Sequence, residues 1–458
     1  MKITSVIETA FKKYLPSPFT IAVLLTFLTV IFAYFFTSSP NDESHIANIL
    51  KYWESGIWNT NLLVFAYQMM LILVLGHVLV LSKPISWLIL QLTKYVKNTA
   101  NAAVLVSVST MLVSFLNWGL GLIFGAILAR KVGEYAQKHQ IPINYPLIGA
   151  SGYVGLMIWH GGISGSAPLK VAEQDHLKTL MNSISAPDIL SQLPESIGSG
   201  ETIFSWWNLL LFAMILLIIP AVFYRIGKKV KNTPLVIETY KLETADEEKL
   251  DGAEKLDRSK WMAILFGFVI LTAFVLQYSN FIKSLNLTPN LLNFAMLGLA
   301  IIMHGNFHNF LNALEEAIKD TSGILIQFPL YFGIMGIMSG SGMVTQIAGF
   351  FVSIANETTL PIVTFFSAGL VNIFVPSGGG QWAVQGPIVV ESAIKLGVPL
   401  PKAIMALAYG DQITNMLQPF WALPLLGITK LKAREILPFT LVAMLCGVIV
   451  FLTGLFFL

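Results

Sequence analysis

The chain is poor in charge and almost without cysteine. Of its 458 residues only 12% are Asp, Glu, Lys or Arg, while 55% are hydrophobic. Soluble globular chains carry roughly 25% charged residues, and one of this length would divide into about three domains, each needing a charged surface. The shortage excludes a soluble enzyme, a nucleic-acid-binding protein and a disordered chain. A formal net charge of +3 is too small to imply an acidic partner. The one cysteine, Cys446, sits in an apolar run, so the chain has no intrachain disulfide and no cysteine-built metal site. It reads as a small buried hydrophobe.

What the chain has instead is long apolar runs. Nine have the length of a single membrane crossing: 18–37, 61–82, 145–168, 204–224, 261–281, 287–304, 323–340, 403–426 and 437–457. The first is too long for a signal-peptide core, and the SSPNDESH that follows is no small-residue cleavage site, so it reads as a retained helix. Two further stretches, 101–131 and 360–395, are apolar for over 30 residues but are broken midway. Asn117-Trp118-Gly119 breaks one, and Pro376-Ser377-Gly378-Gly379-Gly380 the other. Such turn formers require non-helical backbone. Each arm would then hold about 15 residues, or ~22 Å, short of the ~30 Å hydrocarbon core. The pattern predicts an all-α polytopic membrane protein with about nine crossing helices and two re-entrant hairpins.

The few charges sort by side. With the N-terminus in the cytoplasm, 22 Lys and Arg fall in inside segments and 6 outside, as the positive-inside rule requires. The C-terminus is then extracytoplasmic. Nine of the 28 basic residues lie between Arg225 and Lys260, which reads as a solvated cytoplasmic connector. Residues 83–97, amphipathic with basic ends, read as an interfacial helix.

The halves of the chain resemble each other. Asn117 and Asn372 are 255 residues apart, Tyr153 and Tyr409 256, Pro168 and Pro424 256, Gln68 and Gln327 259, and Ser82 and Ser341 259. The division expected is a first repeat over 1–224, with hairpin 101–131 and broken helix 145–168. A connector over 225–285 includes linking helix 261–281. A second repeat over 286–458 has hairpin 360–395 and broken helix 403–426. Five crossings separate corresponding spans, so the repeats have opposite orientation. Inverted repeats whose broken helices meet near the midplane are a secondary-transporter pattern.

Two crossings carry Gly, Pro and amides at membrane depth: Trp159-His160-Gly161-Gly162-Ile163-Ser164-Gly165-Ser166 in one, Asp411-Gln412-Ile413-Thr414-Asn415-Met416-Leu417-Gln418-Pro419 in the other. Unwound backbone survives there only where protein or a water-filled cavity satisfies it. Together with the hairpin tips, four breaks can converge on one site. Half-helix N-termini offer free N–H groups and positive dipole ends, which suit a carboxylate. The candidate substrate-binding residues are Asn117, Trp118, Gly119, His160, Gly161, Gly162, Ser164, Ser166, Ser377, Gly378, Gly379, Gly380, Gln381, Asn415 and Gln418. No Lys or Arg lies in any break, so dipoles and amides must hold the anion. Gly-rich breaks that merely allow close helix packing are the plainer alternative.

Asp411 is the one acid placed deep in a crossing. A carboxylate at the bilayer centre costs about 2.5–3.5 kcal/mol. Its functional reading is ion coupling, as proton acceptor or Na⁺ ligand, and its structural reading is a hydrogen-bonded acid. His160 can titrate or donate to substrate, although a lone histidine is more often simply packed. Asn372 joins Asp411 as a coupling candidate, and a Na⁺ site near Asn117 and Asn372 is the alternative to a proton. No other metal and no organic cofactor is expected. Trp118, Trp159, Trp382 and Trp421 fall one beside each break. They can wall a pocket for a short aliphatic chain or pack against the breaks.

The runs NWGLGLIFGA, GGISGSAPL, ILIQFPLY, FVPSGGGQW, QGPIVV, MALAYGDQ and QPFWALPLL resemble the bacterial short-chain fatty acid transporter family over nearly the whole chain. The resemblance implies uptake of acids such as butyrate and acetoacetate across the inner membrane. It also implies membership of a wider anion-transporter superfamily with inverted repeats, a homodimeric scaffold and an elevator-like substrate domain, here 101–224 and 360–458. The superfamily's dicarboxylate members carry Ser-Asn-Thr at the hairpin tips. This chain has Asn117-Trp118-Gly119 and Pro376-Ser377-Gly378, so their Na⁺ sites do not carry over residue by residue. The expected function is ion-coupled uptake of small monocarboxylates by symport. An uncoupled facilitator, or a carrier of another carboxylate such as a dicarboxylate, is the alternative. An enzyme is not expected, since no nucleophile stands beside a base at a recognisable spacing.

Overall fold

The computed structural model describes residues 16–39, 44–181, 187–232, 237, 252–283 and 289–457. The N-terminal lysines counted as cytoplasmic and much of the 225–260 connector lie outside the described residues.

Every regular element among the described residues is a helix. The first group is α1 (Pro18–Phe36), α2 (His45–Ile57), α3 (Thr60–Leu81) and α4 (Lys83–Thr93). A hairpin follows, α5 (Thr99–Leu116) and α6 (Trp118–Lys138). Next comes a broken helix, α7 (Tyr145–Tyr153) running into a 3₁₀ turn over Val154–Met157 and resuming as α8 (Ser166–Ala172). After α9 (Trp206–Gly227) and α10 (Lys260–Lys283) the order recurs: α11 (Pro289–His304), α12 (Phe307–Ile318), α13 (Ser322–Gly340) and α14 (Met343–Ser353). The second hairpin is α15 (Leu360–Phe374) and α16 (Gly378–Leu396). The second broken helix is α17 (Leu400–Thr414), a 3₁₀ turn over Asn415–Leu417 and α18 (Pro419–Thr429), followed by α19 (Ala433–Phe457).

Short polar residues start these helices. The first N–H groups of a helix lack intrahelical acceptors, and Asn or Ser side chains supply them. Asn59 accepts from the Leu62 N–H at 3.1 Å, Asn98 from Asn101 at 3.0 Å, Asn144 from Leu147 at 3.0 Å and Asn306 from Asn309 at 2.8 Å. Gly342, at φ 76, ends α13 and turns the chain into α14 at 64°.

Packing crosses between the two groups. α13 lies against α1 and α2, and α3 lies against α11 and α12. Likewise α8 packs on α16 and α17, and α18 packs on α6. The first hairpin meets its broken helix at glycines. A Cβ on Gly125 would lie 2.1 Å from the Gly152 oxygen, and one on Gly152 2.4 Å from the Gly125 oxygen. Any side chain there would force α6 and α7 apart.

The helix lengths amend the expected spans. Among the described residues six helices are long and apolar enough to cross a membrane: α1, α3, α5, α9, α10 and α19; α13 with α14 makes a seventh if the bent pair is one span. The stretches 145–168 and 403–426 are interrupted, as their Gly and amide content implied, and α11 has only 16 residues. Three of the four hairpin arms exceed the expected 15: α5 has 18 residues, α6 has 21 and α16 has 19, while α15 has 15; α5 and α6 gain length by running past the apolar stretch, from Thr99 to Lys138.

Candidate functional site

The two breaks of the first half meet. Asn117 Oδ1 caps α6 by accepting from the Leu120 N–H at 2.9 Å, and the Trp118 N–H donates to Ser164 Oγ at 2.9 Å. A Cβ on Gly162 would lie 2.6 Å from the Phe115 oxygen. The tip of the first hairpin is thus seated on the first broken helix.

Gln412 of the second half and Asn208 of the first supply what this unwound segment lacks. Gln412 Oε1 accepts from the backbone N–H of both His160, at 2.9 Å, and Gly161, at 3.1 Å. Asn208 Nδ2, from α9, donates to the Gly161 carbonyl at 2.9 Å, and Asn208 Oδ1 accepts from the Tyr409 hydroxyl at 2.7 Å. In return the Tyr153 hydroxyl donates to the Asn415 carbonyl at 2.8 Å and the Gln418 carbonyl at 3.1 Å. Each broken helix therefore satisfies exposed backbone of the other. None of Gln412, Asn208 and Tyr153 was among the sequence candidates. The signal for Asn208 was a lone amide in an otherwise apolar run, and Gln412 stands beside Asp411.

At the centre lie His160 and Asp411, 0% and 1% exposed. His160 Nδ1 is hydrogen-bonded to Asp411 Oδ2 across the two halves, and His160 Nε2 accepts from the Ala167 N–H at 3.1 Å. An accepting Nε2 puts the proton on Nδ1, a tautomer assigned from the hydrogen-bond network. The imidazole is then neutral, with Nδ1 donating to Asp411 Oδ2. Asp411 Oδ1 has no partner among the described residues.

The second hairpin closes over this pair. A Cβ on Gly378 would lie 2.7 Å from Trp159 Cη2 and 2.8 Å from His160 Cε1. Ser377 caps α16 by accepting from the Gly380 N–H at 3.2 Å, and the Gln381 N–H donates to the Ser377 carbonyl at 2.7 Å. This leaves the N–H groups of Gly378 and Gly379 at the positive end of the α16 dipole without an intrahelical acceptor. Gly379 is exposed, and Ser166 Oγ lies 3.9 Å from where its Cβ would be. An anion seated there would meet backbone N–H groups and two hydroxyls, next to the His160–Asp411 pair.

Other candidates are placed differently. Gln381 turns into the hairpin, donating to the Ala368 carbonyl at 2.9 Å and to Gln385 Oε1 at 2.8 Å. Asn372 Nδ2 faces three oxygens: the Asp411 carbonyl at 2.7 Å, Asn415 Oδ1 at 2.8 Å and Thr414 Oγ1 at 2.9 Å. Its backbone carbonyl accepts from Gln418 Nε2. Asn117 Oδ1 is committed to its cap, while Asn372 Oδ1, Gln418 Oε1 and Asp411 Oδ1 are buried without a hydrogen-bond partner among the described residues. No cluster of three or more His, Cys, Asp or Glu that could hold a metal occurs among the described residues.

Three of the four tryptophans converge. Trp118 stands 5.0 Å from Trp421 and 5.9 Å from Trp159 between ring centroids. Phe65 of α3 lies 6.2 Å from both Trp118 and Trp421, and Phe328 of α13 stacks on Phe420 at 4.0 Å. Trp382 leaves this group. Its Nε1 donates to His176 Nε2 at 3.0 Å, in the segment between α8 and α9. Burial pushes His176 below the usual histidine value, against the nearby Glu173 carboxylate, which keeps its ring neutral and able to accept.

Broken helices that complete one another around a buried His–Asp pair, with only helices and six or seven membrane-length spans among the described residues, are the arrangement of a multi-pass membrane protein. The chain belongs to the short-chain fatty acid transporter family, whose model matches residues 1–458. It is 36% identical, over 100% of its own length and 99% of the relative's, to a Haemophilus influenzae protein described as "Putative short-chain fatty acid transporter". A protein of Escherichia coli K12 with the same description is 33% identical over 97% of this chain and 96% of that one. Among solved structures, the Alcanivorax borkumensis YdaH transporter aligns at 14% identity and TM-score 0.44, over 96% of this chain and 98% of its own. MtrF of Neisseria gonorrhoeae aligns at 14% identity and TM-score 0.44, over 98% and 97%.

Proposed function

We propose that this protein takes up short-chain monocarboxylates across the inner membrane by proton symport. The observation that carries the coupling is the His160–Asp411 pair, which joins the two broken helices beside the α16 N-terminus. The carboxylate of the substrate sits at the Gly378 and Gly379 N–H groups with Ser166 and Ser377, and its alkyl tail lies toward Trp118, Trp159 and Trp421. Bound alone, the anion would bring the buried charge to −2 with Asp411, which low-dielectric surroundings penalise. A co-bound proton offsets it. Proton entry at His160 Nε2 would set two N–H groups against each other at Ala167, so the proton goes to the unpartnered Asp411 Oδ1. Because Nε2 is held by a backbone N–H, His160 is no base for a serine, and hydrolytic chemistry is disfavoured.

The matching helix orders of α1–α9 and α11–α19 support two inverted repeats. The hairpins and broken helices would move, elevator-like, against a dimeric scaffold containing α3 and α13. Uptake of labelled butyrate and acetoacetate into proteoliposomes tests the reading. Wild type should accumulate both under an inward proton gradient, at fixed Na⁺. Asp411→Asn should lose accumulation and its pH dependence by at least 10-fold while keeping exchange of internal for external acid. Accumulation driven by Na⁺ alone, or unaffected by Asp411→Asn, would overturn proton coupling.

A further inference from the structure

The connector between α9 and α10 is fastened to the first hairpin and first broken helix at two places. α9 ends against the start of α5, where a Cβ on Gly227 would lie 2.7 Å from Ala100 Cα. Just beyond, the Lys231 carbonyl accepts from Asn144 Nδ2 at 2.8 Å, and Asn232 Oδ1 accepts from the Thr99 hydroxyl at 3.1 Å. The second place is Ile237, held by both backbone and side chain. Its N–H donates to Gln137 Oε1 at 2.6 Å, and its carbonyl accepts from Gln137 Nε2 at 3.1 Å. Ile237 is 7% exposed. A Cβ on Gly133 would lie 2.5 Å from Ile237 Cδ1 and 2.6 Å from Tyr145 Cε2, so the two side chains share the space that this glycine leaves open on α6. The Tyr145 hydroxyl in turn donates to the Thr429 carbonyl at the end of α18, at 3.1 Å.

This seat reads two properties of its occupant. The Gln137 amide pairs with one residue's N–H and C=O together, which any non-proline residue can offer. The opening at Gly133 and Tyr145 takes an apolar side chain and penalises a charged one. Leu235-Val236-Ile237 is the one run of three apolar residues from Lys228 to Lys260, a stretch otherwise crowded with Lys, Glu and Asp. Holding the chain there costs backbone entropy of the same order as the gain from one buried isoleucine and two hydrogen bonds. A contact so balanced opens locally, without unfolding the helices beneath it. Past Ile237 the chain leads to α10, which packs on α11, and α11 packs on α3. Seating Ile237 therefore sets how much free chain joins the two groups of helices.

We infer that Ile237 is a reversible latch. Seated between α6 and α7 it fastens the connector to the first hairpin and first broken helix; released, it frees the connector and uncovers an apolar seat at Gly133 and Tyr145. The latch is independent of which acid is transported. Thiol labelling of the full-length protein in detergent tests it. In a Cys446→Ala background, Ile237→Cys should react with a water-soluble maleimide at least 10-fold more slowly than Glu254→Cys, an exposed position of the same connector. Gln137 is itself exposed in the last turn of α6, and alanine is the best helix former. Gln137→Ala should therefore speed labelling of Ile237→Cys at least 5-fold, with the Glu254→Cys rate and the melting temperature unchanged. Because cysteine is smaller than isoleucine, amide hydrogen exchange at Ile237 in the protein without that substitution is the second readout, slow in wild type and at least 5-fold faster in Gln137→Ala. An Ile237 amide that exchanges freely in wild type, a Gln137→Ala variant that moves neither readout, or labelling of Ile237→Cys that proceeds only as the whole protein melts would overturn the latch.

Discussion

At the scale of single residues, the breaks depend on a few side chains that terminate backbone hydrogen bonds. Gln412 Oε1 accepts from two N–H groups, those of His160 and Gly161, in a region where Gln412 itself is 1% exposed. Removing one partner from a buried hydrogen bond leaves the other unsatisfied, at roughly 1–3 kcal/mol each. Gln412→Leu removes both at once. It should lower the melting temperature of the detergent-solubilised protein by several degrees and disturb His160. Equal melting for wild type and the leucine variant would mean that water serves these groups instead. Tyr153 has the reciprocal role, and its hydroxyl was no more visible in the sequence than Gln412, because what these side chains meet lies more than 250 positions away.

At the scale of elements, the hairpin tips act through close approach. Gly378 and Gly379 are neighbours with opposite surroundings. A Cβ at Gly378 would strike Trp159 and His160 at 2.7 and 2.8 Å, while one at Gly379 would meet only Ser166 Oγ, at 3.9 Å. Gly378→Ala should therefore push α16 off the first broken helix and reduce uptake at least 10-fold, while Gly379→Ala should keep most of it. Measuring initial uptake rates at matched protein levels checks the contrast, and equal loss in both would show that the backbone, not the contact, is what glycine provides. The breaks themselves were legible in the sequence, because Asn117, the Gly161–Gly165 run and Ser377 announce their turns locally. What joins across them was not. The pairing of His160 with Asp411 and the departure of Trp382 toward His176 depend on tertiary packing, which a one-dimensional pattern does not carry. Arm length also misled, since α6 continues past its apolar stretch to Lys138.

At the scale of the whole molecule, the two groups of helices meet through aromatic rings. Phe65 belongs to α3 and faces Trp118 and Trp421, each at 6.2 Å, on the tip of the first hairpin and the second broken helix. Ring contacts without a recorded hydrogen bond between them can slide without leaving polar groups unsatisfied, so this seam suits rigid-body movement better than the hydrogen-bonded contact between the two broken helices. The chain offers a clean background for a test because Cys446 is its one cysteine. In a Cys446→Ala protein, Phe65→Cys and Trp421→Cys should be joined by a short thiol-specific cross-linker. Joining them should stop accumulation of labelled acid, and reductive cleavage of the linker should restore it. Pairing Tyr153→Cys with Gln418→Cys, on the two broken helices, should by contrast leave any remaining transport unchanged on cross-linking, because in the proposed movement those segments travel together. Full cross-linking of the first pair with undiminished uptake would mean that the aromatic seam stays closed throughout the cycle and that the movement lies elsewhere.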